Sequence, residues 1–237
     1  MVNIKAFVFN PFRENTYFVW DEEGSLVVID PSFYDQEEQE AFFSLVSREN
    51  LTLREIWLTH GHFDHIFGVA ALQRKYSVPV LMGEADADLL AIAGQSAEAA
   101  GLKMPDTGFR TTPLSDGQAL TVLKGSPFTA IATPGHTEGG FCFYDETDKV
   151  LFSGDTLFAG TIGRTDLFGG EYDKLIVSVM DRLMGLPGDV DVLPGHGTWT
   201  TVGNERTGNP FLQPFNEPGG DDLDWDAEGI ELDGTMQ

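Results

Sequence analysis

The chain of 237 residues has a single cysteine, Cys142, so no disulfide can form within it and a multi-cysteine zinc site is excluded. Cys142 stands among aromatics in GGFCFY and reads as a buried structural thiol. Positive charge is scarce: 14 Lys and Arg face 38 Asp and Glu, for a formal net charge of −24. Nucleic-acid binding draws its affinity from clustered cations, and no basic patch is present to supply it. No apolar run is long enough to span a bilayer, and MVNIKAFVFNPF lacks the apolar core and cleavage site of a secretory signal. The expectation is a cytoplasmic protein with neither nucleic acid nor membrane as partner. Histidine is sparse too, yet all five fall inside three short motifs.

THGHFDH brings His60, His62, Asp64 and His65 together, TPGHT contributes His136 and LPGHG contributes His196, while SGDT adds Asp155. Neutral imidazole nitrogens and carboxylate oxygens are the donors that hold zinc, iron or manganese. A tetrahedral zinc takes four ligands, so these seven candidates fit two neighbouring divalent ions sharing one carboxylate. Zinc is the first choice, with iron or manganese accepted by the same donors. An isolated histidine is more often a satisfied polar residue than a ligand, but joint placement of all five argues against that reading here.

The segments Ile4 to Phe9, Thr16 to Trp20 and Leu26 to Ile29 alternate as strands bounded by turn residues. Helices are expected over Gln36 to Asn50, Ile66 to Tyr76 and Glu84 to Ala100, with a strand Glu55 to Leu58 delivering the first histidine motif. A turn-rich stretch from Gly101 to Gly117 separates two halves. Strands follow at Leu120 to Val122 and Phe128 to Ala132, then a hairpin, Phe141 to Tyr144 with Val150 to Phe152, around DETDK. A helix from Glu171 ends near Gly185 and Pro187, and a buried strand, Val190 to Leu193, leads into His196. Residues 1–216 read as the body and 217–237 as an acidic tail without a basic residue, whose Leu223, Trp225 and Ile230 offer a contact to the body or to a second subunit of a homodimer.

THGHFDH, TPGHT, SGDT and LPGHG, in this order, resemble the ligand motifs of the metallo-β-lactamase fold superfamily from Val2 to Phe215. The flanking NPFRENTYFV, GDTLFAGTIGRTDL and ERTGNPFL resemble its short bacterial glyoxalase II-like (hydroxyacylglutathione hydrolase-like) branch, which lacks a separate carboxy-terminal glutathione-binding domain. The resemblance implies an α/β fold, a four-layer αββα metallo-β-lactamase sandwich, with residues 1–216 as the hydrolase domain. It implies His60, His62 and His136 on one metal, Asp64, His65 and His196 on the other, and Asp155 bridging them, with Asp64 and Asp155 as the catalytic carboxylates. Asp30, in VVIDPS, would hydrogen-bond rather than ligate. The implied activity is metal-dependent hydrolysis of a small-molecule thioester such as S-lactoylglutathione by a metal-bridging hydroxide. The alternative is a mononuclear-iron persulfide dioxygenase, whose histidine motifs and GRTD-like loop are similar, with His60, His136 and Asp155 as its triad. Arg164 and Arg206 are the candidate contacts for an anionic substrate group, each with a loop-pinning role as its competitor. Tyr17 and Phe158 are weighed as pocket residues, with a core position favoured.

Overall fold

A computed structural model describes residues 1–104 and 106–213; the acidic tail, 217–237, lies outside the described residues. Strands β1 (Asn3–Phe9), β2 (Glu14–Trp20) and β3 (Ser25–Ile29) form an antiparallel meander. Helix α1 (Gln36–Arg48) follows, its amino terminus capped by Asp35, whose carboxylate accepts from the Glu38 N–H. Next come β4 (Thr52–Trp57), α2 (Val69–Tyr76), β5 (Val80–Met82), α3 (Ala87–Ala99) and β6 (Thr112–Pro113), with β3 to β6 parallel. The second sheet opens with β7 (Gln118–Leu120), β8 (Phe128–Ala132), β9 (Phe141–Asp145) and β10 (Val150–Gly154). A small ribbon, β11 (Leu157–Phe158) with β12 (Thr161–Ile162), precedes α4 (Tyr172–Val177), β13 (Asp191–Pro194), β14 (Thr200–Thr201) and α5 (Val202–Gly208). The sheet orders are β1-β2-β3-β4-β5-β6 and β14-β13-β10-β9-β8-β7.

The period-two alternation of strands sorts side chains into three apolar layers. In β2 and β3, Phe18, Leu26 and Val28 face α1 and α2, against Phe42, Leu45, Val69 and Leu72. Their neighbours Tyr17, Val19, Val27 and Ile29 point the other way and meet Phe141, Phe143, Val150 and Phe152 of the second sheet. Cys142, Tyr144 and Leu151 emerge on the far side of that sheet and pack on Leu175, Ile176, Val179 and Leu183. Helix, sheet, sheet and helix therefore stack as the expected αββα sandwich. Cys142 is fully buried, and burial pushes its thiol up to about 11, as a structural cysteine requires.

The local differences from the sequence reading have identifiable causes. Helix α2 begins at Val69 rather than Ile66, because the histidine motif closes as a 3₁₀ turn, Phe63–His65, and the Gly68 N–H is taken by the Pro31 carbonyl at 2.8 Å. The helix expected from Glu84 likewise starts as a 3₁₀ turn, Glu84–Asp86. Strand β7 ends at Leu120 instead of beginning there, since its register pairs Gln118 with Ala130 and Leu120 with Phe128. The helix from Glu171 changes winding: after α4 it continues as a π-helix, Ser178–Leu183, closed by the Met184 N–H on Val179 O at 2.9 Å. Strand β14, of two residues, and helix α5, of seven mostly polar ones, carry too little periodicity to be read from sequence. Among the described residues no helix is long and apolar enough to cross a membrane.

Candidate metal centre

Strands β3, β4, β8, β10 and β13 all end at one edge of the sandwich, and each is followed by a polar site residue. Asp30 follows β3, His60 follows β4, His136 follows β8, Asp155 follows β10 and His196 follows β13. The edge is stitched across the two sheets, where the Phe141 N–H donates to Thr59 O at 2.8 Å and the Asn15 N–H to Gly195 O at 2.7 Å, and within the second sheet, where the Gly195 N–H donates to Gly154 O at 2.8 Å. A side chain at Gly195 would collide with Asp155 Oδ1 and lie 2.7 Å from His65 Cε1, so LPGHG needs glycine there for His196 to approach the others.

All seven candidate ligands converge. Donor atoms of His60, His62 and His136 lie within 4.8 Å of one another, as do those of Asp64, His65 and His196. Asp155 stands between the sets, with Oδ1 3.5 Å from His65 Nε2 and Oδ2 3.6 Å from His136 Nε2 and 3.7 Å from His196 Nε2.

The outer nitrogens fix which inner nitrogen is free to ligate. A carbonyl only accepts, so His136 Nδ1–H donates to Arg164 O at 2.7 Å and His196 Nδ1–H to Phe12 O at 3.1 Å. His65 Nδ1–H donates to Asp30 Oδ2 at 3.0 Å. Thr59 Oγ1 donates to Asp30 Oδ2 at 2.6 Å and so accepts from His60 Nδ1–H at 3.0 Å. In each case the Nε2 lone pair faces the centre, the orientation that a hydrogen-bonded outer nitrogen imposes on metal-ligating histidines. His62 differs, presenting Nδ1 at 2.9 Å from His136 Nε2. His60 Nε2, His65 Nε2 and Asp155 Oδ1 are buried and have no hydrogen-bond partner among the described residues. Buried polar atoms are rarely left so, and the donor set fits divalent metal ions.

Burial, reinforced by the neighbouring imidazoles, holds His60 well below the usual histidine range, and burial with His136 brings His62 down to about 4. Both are neutral donors at physiological pH. Burial works against charge at Asp155, yet His65 and His136 outweigh it and keep the carboxyl well below its ordinary value. Asp64 is lowered in the same sense, burial being overcome by His196 and His65.

Several supporting residues carry no sequence signature. Asp86, 1% exposed, accepts from Gly61 N–H at 2.8 Å, Thr137 Oγ1–H at 2.9 Å and Gly139 N–H at 2.6 Å, so one carboxylate ties the His60–His62 loop to the His136 loop. Asn15 Nδ2–H₂ donates to Pro194 O at 2.9 Å and Gly197 O at 3.1 Å, and the Tyr17 hydroxyl donates to Pro194 O at 2.7 Å, latching the His196 loop. Glu14 lies buried behind His65, its Oε2 accepting from the Thr16 and Ser32 hydroxyls, and burial raises its carboxyl well above the ordinary range. A run of polar residues inside an otherwise apolar strand is the one hint the sequence offers for Glu14 to Thr16.

The two arginines part company. Arg164 lines a cavity of about 660 Å³ together with His62, Asp64, His136, Asp155 and His196. Its guanidinium is forked onto Asp166, Nε to Oδ1 at 2.7 Å and Nη2 to Oδ2 at 2.8 Å. Arg206, a candidate for either substrate contact or loop pinning, takes the second role: it donates to the carbonyls of Met184 and Leu186 at 2.6–3.0 Å and is absent from the lining of that cavity. The end of the π-helix leaves those carbonyls without helical partners, and the arginine satisfies them. Tyr17 is core, while half-buried Phe158 lines a separate groove beyond His196.

The model of the metallo-beta-lactamase superfamily matches residues 9–205. Hydroxyacylglutathione hydrolase GloC of Haemophilus influenzae is 35% identical over 217 residues, covering 89% of this chain and 98% of that protein. Among solved structures, the B3 metallo-beta-lactamase BLEG-1 superposes with a TM-score of 0.80 at 35% identity, covering 89% of this chain and 99% of its own. TTHA1623 in a di-iron-bound form gives 0.79 at 38% identity, covering 88% of this chain and all (100%) of its own.

Proposed function

The chain belongs to the metallo-beta-lactamase superfamily, and on that premise we propose that it is a thioester hydrolase of the glyoxalase II type acting through two divalent ions. The observation that carries this reading is the placement of Asp155 between two three-ligand sets whose inner lone pairs face it. Likeness to the hydroxyacylglutathione hydrolase GloC supports the choice of thioester over other acyl compounds. Zinc is the first candidate metal, and the di-iron form of TTHA1623 supports iron as the second.

His60, His62 and His136 would hold one ion, Asp64, His65 and His196 the other, and Asp155 would contact both. Bound there, the ions would supply hydroxide near neutral pH and neutralise the oxyanion that develops on the attacked carbonyl. The protein's part is placement and charge. Asp64 and Asp155 hold anionic charge on the cavity wall, while Arg164 O and Phe12 O fix the rings of His136 and His196 so that no reorganisation is needed during reaction. Water and thioester give carboxylate, thiol and a proton, and because a thiolate leaves readily no general acid is required of the chain. A small-molecule partner is supported by the cavity of about 660 Å³ that α3, the 63–64 turn and the 164–168 loop line beside the candidate ligands.

The test is turnover of S-lactoylglutathione and of glutathione persulfide by metal-loaded protein, with and without dioxygen. Oxygen-independent release of thiol from the thioester is the expected result. Oxygen uptake driven by persulfide, with no thioester cleavage, would overturn the reading in favour of the mononuclear-iron dioxygenase.

A further inference from the structure

We propose that the cavity beside the metal centre is an acyl-chain trough, selecting thioesters with hydrocarbon acyl groups over small polar ones; the inference rests on the thioesterase reading. Away from the ligands its walls are Phe12, Phe63, Leu89, Ile92, Leu167 and Phe168. Leu89, Ile92, Ser96 and Ala99 recur at three- and four-residue steps along α3, so one stripe of the helix forms a continuous wall. Phe12 and Phe63, on the same lining, meet edge-on at 5.3 Å between ring centroids.

Exposed apolar side chains scattered singly need no explanation. Here three of the large exposed ones, Phe168 at 62% and Phe12 and Leu167 at 42% each, stand around the mouth of one cavity that ends at the candidate ligands. An apolar rim leading inward to a polar reaction centre is the architecture of a ligand site rather than of idle surface.

Charge argues in the same direction. Arg164 is the only lysine or arginine among the lining residues, and its fork is already on Asp166. Beyond the candidate metal ions, the carboxylates of an anionic thiol would find no lysine or arginine on these walls except Arg164, in a chain of net charge −24. Thiols that carry acyl groups are themselves polar and charged, so the component of a thioester able to use an apolar wall is the acyl chain. Each methylene moved from water onto such a wall strengthens binding by about three- to fourfold.

The experiment uses the metal-loaded full-length protein and two matched series on N-acetylcysteamine. The first comprises thioesters from acetyl to octanoyl, assayed for kcat/KM; the second comprises ketone analogues with a methylene between sulfur and carbonyl, which cannot be hydrolysed, assayed by calorimetry. Affinity for the analogues is expected to rise by about threefold per methylene until the trough is filled. Ile92→Asn and Phe168→Ser should each flatten that slope. Chain-length-dependent binding without hydrolysis supports the trough and refutes the thioesterase. Hydrolysis with a flat chain-length profile refutes the trough and leaves the thioesterase intact. A flat profile in both series, with a dimer that Phe168→Ser converts to monomer, overturns the proposal by assigning the apolar rim to a second copy of the chain.

Discussion

At the scale of single residues, the centre depends on groups that touch no candidate ligand atom. Asp86 accepts three hydrogen bonds from the two histidine-bearing loops. Asp86→Ala would leave the Gly61 and Gly139 N–H groups and the Thr137 hydroxyl without a buried acceptor, an expected loss of about 2–4 kcal/mol in urea denaturation. Metal affinity, read by chelator competition, should fall about 10- to 100-fold in the same variant, as it does when a ligand's outer support is removed. Gly195→Ala should be as damaging to metal binding, because the added methyl displaces Asp155 and His65 together. Arg164 offers the opposite kind of change. Asp166→Asn frees its guanidinium, and kcat/KM for anionic S-lactoylglutathione should rise about two- to fivefold at low salt and less at high salt.

At the scale of elements, β2 does two jobs with one alternating strand. Its apolar residues hold the two sheets together, and Asn15 and Tyr17 reach the loop that carries His196. Tyr17→Phe removes the bond to Pro194 O and should cost about 1–2 kcal/mol, measured by denaturation. At the other end of β2, Asp21 fastens the β2–β3 turn to the second sheet, accepting from the Lys124, Ser25 and Glu23 N–H groups. Burial opposes its ionisation, but these donors outweigh burial and lower the carboxyl. A folded value below the unfolded one means that the stabilisation is present above the unfolded pKa of about 3.9 and is lost as pH falls through the folded value. The stability difference between wild type and Asp21→Asn should therefore be full at pH 6 and shrink below about pH 4. Periodicity made most of these elements legible, because a strand or helix buries its face wherever it packs. Asp86 was not legible: its partners lie 25 and 53 residues away in Gly61 and Gly139, and nothing local distinguishes it from the other acids of GEADADLL. Arg206 was ambiguous for a related reason, since an arginine near a site motif and an arginine capping helix carbonyls look alike until the fold sets its neighbours.

At the scale of the whole molecule, the five histidines were readable as a cluster because the motifs are short and none lies elsewhere, and their division into two sets, implied by the resemblance, has its geometric counterpart in donor atoms within 4.8 Å of one another in each set. The sandwich brings five strand ends to one edge, and the buried unpartnered atoms there make metal binding a contribution to stability. Ion at about a thousand times its dissociation constant stabilises the folded state by about 4 kcal/mol, so loading the chelated protein should raise Tm by on the order of 10 °C, read by calorimetry. The most direct measurement is elemental analysis of freshly purified protein alongside Asp155→Ala. Two divalent ions per chain in wild type, with loss of both in the variant, is the expected result. One ion per chain in wild type, or two ions retained in Asp155→Ala, would contradict a centre built on a shared carboxylate.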